Sequence, residues 1–211
     1  MRVPRLPRIH PILLLAGAAG AVAVGARLHR TWGATAEEAT APLPGDELVP
    51  DFKFRSTRAI TIEAAPEAVW PWLMQLGMGR GGWYSYDNWA ALLSSVPTTS
   101  TTQVIEELQG LKEGDLVDLI DMIIFKVHTI DAPNALVLYA DQDMVPHQPW
   151  TKSWAFVLKP LPGGATRLLV RELSTWPNRQ VGLITAVSGW AWFWATRRQL
   201  KNLKSLVEAQ S

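Results

Sequence analysis

The chain has no cysteine. That excludes disulfides and thiolate metal sites, and it removes redox chemistry as a guide to compartment. Charge is scarce: 18% of residues are charged against 48% hydrophobic, with a formal net charge of +1. This excludes a disordered, charge-rich chain and any overall pull toward nucleic acid. Recognised chemical signatures are missing as well. There is no P-loop, no GxGxxG after a strand, no GxSxG, no HExxH and no RNP1-like RNA-binding segment. His128 and His147 stand in no HxxxH or HxH spacing, so no metal is expected, and a structural role is favoured for each histidine. The sequence has no internal repeat and no low-complexity tract.

What is abundant is tryptophan, 11 in 211 residues. A large ring with one N–H suits packed cores, cavity walls and membrane borders. Core packing is the simplest reading for most of the eleven.

Residues 1–33 form a separate unit. Arg2, Arg5, Arg8 and His10 precede an uncharged run from Pro11 to Ala26, and Arg27, His29 and Arg30 follow it. Sixteen helical residues rise roughly 24 Å, a little short of the ~30 Å hydrocarbon core, and snorkelling arginines extend the span. A retained single-pass anchor is the favoured reading, which makes the membrane a partner and the location. A cleaved signal peptide and a soluble helix are the alternatives. Arginines on both sides leave the orientation poorly set.

Residues 34–57 are predicted to be a partly ordered linker that holds the domain away from the membrane. Thr35 caps a short helix with Glu37 and Glu38 in its first turn, and four prolines and glycines beyond it prevent regular structure. The domain is predicted over 58–211. It opens with an alternating strand, Ala59 to Glu63, and a helix begun by Pro66 and ended by Gly77 or Gly79. A glycine-rich aromatic loop and a second helix from Tyr86 to Leu93, capped by Ser85, follow. Strands are predicted over 104–108, 116–120, 123–130, 135–139, 151–158 and 166–174, and then one long helix over 180–209. The second half of that helix has a clear stripe, Leu200, Leu203 and Val207. Its first half is uncharged on every side, so it is predicted to be buried or against lipid.

This order predicts an α+β fold in which a curved antiparallel sheet wraps a long C-terminal helix, with an N-terminal transmembrane helix ahead of it. One helix cannot fill a wide curved sheet, so a cavity between them is expected. The stretch Ala59-Ile60-Thr61-Ile62-Glu63-Ala64-Ala65-Pro66-Glu67-Ala68-Val69-Trp70-Pro71-Trp72-Leu73 resembles the opening of the START/Bet v 1-like superfamily, the helix-grip fold. More narrowly, it is similar to the branch called polyketide cyclase/dehydrase and lipid transport (SRPBCC). The phrase from Leu43-Pro44-Gly45-Asp46 through Gly79 to Asp87 is similar to membrane-anchored actinobacterial members. The resemblance covers about 43–208. It implies the fold, a cavity and no cofactor, but no shared catalytic residue set.

Candidate ligand contacts come first from the loop. Trp83, Tyr84 and Tyr86 offer flat walls with polar tips, Arg80 can pair a carboxylate, and glycines allow close approach. A packed loop and an intramolecular ion pair are the plainer readings, and Asp87 is expected to cap the following helix. His128, Tyr139, Trp154 and Arg171 lie on strands. Arg171 would need a partner if it faced the cavity, and an outer or edge position is favoured. Trp190, Trp192, Phe193 and Trp194 on the last helix are expected to pack in the core and line part of the cavity; contact with a membrane interface is the rival.

The favoured function is membrane-tethered binding of a small hydrophobic molecule or lipid. An aromatic cyclase or dehydratase and a ligand-free structural membrane partner are the alternatives. An apolar pocket with one or two buried polar tips favours binding. A strongly shifted histidine or a paired Arg–Glu in the pocket favours catalysis, and a filled core favours the third. Nothing in the sequence marks an oligomeric state.

Overall fold

A computed structural model of the chain describes residues 29–87, 99–120, 123–144 and 149–210. The predicted membrane segment up to 28, the second helix beyond Asp87, and His147 lie outside these residues. Among the described residues no helix is long and apolar enough to cross a membrane.

The architecture is α+β. A short helix α1 (Ala36–Thr40) precedes β1 (Phe54–Ile62), α2 (Pro66–Met74), β2 (Leu116–Ile120), β3 (Ile123–Asp131), β4 (Ala135–Ala140), β5 (Thr151–Pro160), β6 (Thr166–Thr175) and the long α3 (Arg179–Glu208). The six strands form one antiparallel sheet in the order β1-β6-β5-β4-β3-β2. Irregularities between Asp118 and Ile120 and between Val127 and Thr129 interrupt the ladder where β2, β3 and β4 pair, and such bulges bend a sheet.

α3 lies along the inner face. Leu200, Leu203 and Val207 are buried there, with Val69, Trp72 and Leu73 of α2 in the same cluster. Each such side chain contributes about 1.5–3 kcal/mol by leaving water. Ile60, Ile62, Phe156, Leu158, Leu168 and Val170 supply the sheet's side of this core. α2 is allowed by its proline positions: Pro66 opens it, Pro71 lies one turn in, and Gln75 rather than a glycine closes it.

Three expectations change. β1 begins at Phe54, inside the predicted linker. The predicted strand at 104–108 is a single 3-10 turn, Glu106–Leu108. The rest of residues 34–57 is laid over the outer face of the sheet instead of spacing the domain. Thr35 does cap α1, in a reciprocal box with Glu38. Beyond it, Leu43 and Leu48 cover Ala59, Ala135, Val137, Ala155 and Leu169. Both faces of the central strands are therefore buried, where one face of an antiparallel sheet is often wet.

Candidate functional site

The hollow lies at one end of the sheet. In an antiparallel sheet, the starts of β1, β3 and β5 and the ends of β2 and β6 fall together. Phe54, Leu119, Ile123, Lys152 and Ser174 meet there beneath the first half of α3. At the other end α3 and α2 fill the sheet; here they leave a cavity of about 320 Å³. That is the lower end of the range for small-molecule sites. Trp83, Phe125 and Trp150 form apolar walls, and Trp192 faces them from α3.

The cavity's polar end is an ion cluster. Glu172 is buried, and its Oε1 accepts from Lys152 Nζ at 2.7 Å. Arg58, fully buried on β1, brings Nη1 to 3.7 Å from Oε2, too far for a hydrogen bond. Arg58 instead donates to the His29 carbonyl at 3.3 and 3.1 Å and to Thr196 Oγ1 at 3.5 Å. Lys152 is held over the rings of Trp150 and Trp192, at 4.7 and 5.0 Å. Burial alone would raise the Glu172 carboxyl, but Lys152 and then Arg58 outweigh it and hold it below the ordinary carboxylate range. The Trp192 indole N–H also favours the ionised form, without reaching hydrogen-bond geometry.

The predicted contacts divide. Trp83 and Tyr86 line the cavity. Trp83 donates its indole N–H to Asp118 O at 2.9 Å and stacks on Trp154 at 5.0 Å. Trp154 therefore backs the wall. Tyr86 carries the Arg198 guanidinium over its ring at 4.8 Å.

Arg80 points away from the hollow. It donates to the carbonyls of Met74, Leu76 and Leu108, closing the end of α2, where a cation suits the dipole. Tyr84 is buried in the core with φ +55°, and its hydroxyl accepts from Gln75 Nε2 at 2.6 Å. Gly81 and Gly82 give way to protein, not to a ligand: a Cβ on Gly82 (φ +83°) would meet Ser100 at 2.6 Å. Asp87 binds the Ser100 N–H and hydroxyl, both at 2.8 Å.

The strand candidates fare differently. His128 is exposed, with Nδ1 2.8 Å from Thr129 Oγ1. Tyr139 borders a separate open groove with Asp141 and Trp176. Burial, then Asp141, raises its hydroxyl pKa.

Arg171 is on the outer face. Every arm of its guanidinium is engaged: Nε donates to Thr57, Nη1 to both Asp46 oxygens, and Nη2 to the Glu38, Ala39 and Ala41 carbonyls. It clamps the covering segment to the sheet. The inward group on β6 is its neighbour Glu172.

On α3 the inward aromatic is Trp192. Phe193 is buried under Arg58 (5.6 Å) and His29 (5.7 Å), outside the cavity lining. Trp190 and Trp194 are 46% and 47% exposed, and Leu183 and Ile184 both 68%. The first half of α3 is thus neither fully buried nor a cavity wall on most of its circumference.

Sequence reasoning missed Glu172, Lys152 and Ser174 as cavity groups, while Trp192 is the one of its four aromatic candidates on this helix that lines the hollow. The available signal was parity with Trp154 and Phe156 on β5, which Lys152 shares. Among the described residues no cluster of histidine and carboxylate groups is arranged for a metal ion.

No protein-family profile matches the chain, and no curated protein does. Solved structures similar to it include a protein of Arthrobacter aurescens (16% identity, 74% of this chain, 86% of that one, TM-score 0.45). Another is a conserved protein of Geobacillus kaustophilus (14%, 74% and 97%, 0.44). A third is an HSP90 activator of Plasmodium falciparum (13%, 72% and 95%, 0.42). At these scores the likeness carries no functional argument, and the fold rests on the strand order and register above.

Proposed function

We propose that the chain is a membrane-tethered, START/Bet v 1-like domain that binds a small hydrophobic molecule or lipid between its sheet and last helix. The observation that carries this is the apolar-walled cavity of about 320 Å³ with one buried polar end. Apolar burial would drive binding, and the polar end would orient the ligand.

The tether rests on the uncharged run from Pro11 to Ala26 and on where the chain emerges from it. His29 donates Nε2–H to Gly189 O of α3 at 2.6 Å, and its ring lies 4.9 Å from Trp190. The exposed apolar residues Leu183, Ile184, Trp190 and Trp194 belong to the same half-helix. Aromatic and aliphatic side chains so grouped suit a bilayer interface.

An acid–base enzyme is the second reading, favoured by the Arg58–Glu172–Lys152 cluster in the pocket. Against it, two cations hold the one carboxylate, and a carboxyl held below its ordinary range is a poor proton donor or acceptor at neutral pH. A ligand-free structural role leaves the hollow without a purpose.

Native mass spectrometry of the detergent-extracted full chain tests the binding reading. A co-purified small molecule retained above the detergent background is expected. A protein that is empty in every preparation would overturn it.

A further inference from the structure

We infer that the polar end of the cavity selects a neutral, apolar molecule carrying a hydroxyl group, held by Glu172, Ser174 and Trp192. This deepens the ligand-binding reading above and depends on it. All three residues line the cavity, and in each a polar atom makes no hydrogen bond among the described residues: Glu172 Oε2, which has only the Arg58 ion pair at 3.7 Å and the nearby Trp192 indole, Ser174 Oγ, and Trp192 Nε1. Glu172 and Ser174 are themselves 3% and 1% exposed. A buried polar atom left without a partner costs about 1–3 kcal/mol, so three at one end of one hollow mark a place where partners are supplied from outside the chain.

The chemistry of the three atoms narrows the partner. The carboxylate oxygen only accepts, the indole N–H only donates, and the serine hydroxyl does either. A ligand hydroxyl gives one proton and accepts others, so it can answer all three at once. An alkane answers none. An ionised carboxylate has no proton to give Glu172 Oε2, so it would set acceptor against acceptor and could answer only the serine and the indole. An ammonium would enter a cluster in which two cations face one carboxylate. The volume holds roughly ten waters' worth of liquid, which fits a medium-length chain or a molecule of two fused rings. Trp83, Phe125 and Trp150 then cover its apolar body.

The test uses the full chain in phosphatidylcholine nanodiscs with three probes of equal length: 11-bromoundecanol, 11-bromoundecanoate and 1-bromoundecane. Bromine quenches tryptophan emission, and empty nanodiscs measured alongside give the bilayer partition. The alcohol is expected to saturate at about tenfold lower concentration than either other probe, the equivalent of one good hydrogen bond to a buried group. Ser174→Ala should remove most of that advantage while leaving the bromoalkane unchanged. Trp192→Phe, which keeps the ring and loses the N–H, should do the same if Ser174→Ala proves unstable. Equal binding of all three probes, tighter binding of the acid, or an advantage that survives both substitutions would overturn the hydroxyl assignment and leave the binding reading standing. No saturable binding by any probe would bring both down.

Discussion

Two buried polar side chains, Tyr84 and Arg171, show how single residues are committed before any ligand arrives. Burial pushes the Tyr84 hydroxyl up to about 12, with only the Gln75 contact pulling the other way. The unfolded hydroxyl titrates near 10, so between pH 10 and 12 the unfolded chain loses its proton first. Stability contributed by neutral Tyr84 is therefore complete below pH 10 and falls as pH rises, by about 2–3 kcal/mol in all. Denaturant unfolding at pH 9 and pH 11.5 should give a smaller loss for Tyr84→Phe than for the parent protein; equal losses would refute this. Arg171 is 1% exposed and its Asp46 partner about a quarter exposed. Replacing it with leucine leaves Asp46 and three backbone carbonyls without their donor. A cost of about 3 kcal/mol is expected, toward the lower end for breaking a buried pair because Asp46 is partly wet. Urea unfolding should show a lower midpoint, and limited proteolysis should begin within residues 41–50.

At the scale of elements, α3 does two jobs with two halves. Its second half is an ordinary amphipathic helix whose stripe was readable from Leu200, Leu203 and Val207. Its first half meets His29, which reaches a helix carbonyl because Gly189 has no side chain; a Cβ there would stand 3.2 Å from the imidazole Nε2. Burial holds the His29 pKa below its usual value, while the Gly189 carbonyl pulls it the other way. The unfolded imidazole takes up its proton near pH 6.5, before the folded one. The stability lent by docked His29 is thus complete above pH 6.5 and is lost as pH falls through the lowered folded value. Between pH 7 and 5 the parent should lose more stability than His29→Gln. Hydrogen exchange at residues 29–34 should quicken in acid only in the parent. Identical pH profiles would count against the latch.

At the scale of the whole molecule, binding at the hollow should stabilise the entire fold, because a ligand that meets only the native state shifts unfolding by mass action. At a hundredfold excess over its dissociation constant, a ligand adds about 2.7 kcal/mol. For a chain of this size that is roughly 5–10 °C in Tm. A saturating probe that leaves the melting temperature unmoved would show that it does not bind the native fold in preference to the unfolded chain. The sheet and helices of this molecule were largely legible: five of the six strands and α3 lie within a few residues of their predicted places, because period-two alternation and an uninterrupted helical stretch are local signals. The cavity groups were less so, for reasons of symmetry. β6 buries Leu168 and Val170 on one face and Leu169 and Leu173 on the other, so parity cannot tell which of Arg171 and Glu172 turns inward. The first half of α3 is uncharged all round, which gives no phase by which to prefer Trp192 over Trp190 or Trp194. The strand expected at 104–108 failed because side chains take up its backbone groups: Ile105 N–H donates to Gln75 Oε1 and its carbonyl accepts from Gln109 Nε2.

The register of β1 against β6 also shapes how the protein is made. Phe54 pairs with Ser174 and Ile62 with Thr166, so the opening strand finds its neighbour only when the closing one has been synthesised. Until then the nascent chain carries a sticky, half-apolar ribbon with no mate, and assembly waits until residues 166–175 have left the ribosome. Truncation anywhere before the last strand should therefore yield an aggregating fragment, not a smaller working protein.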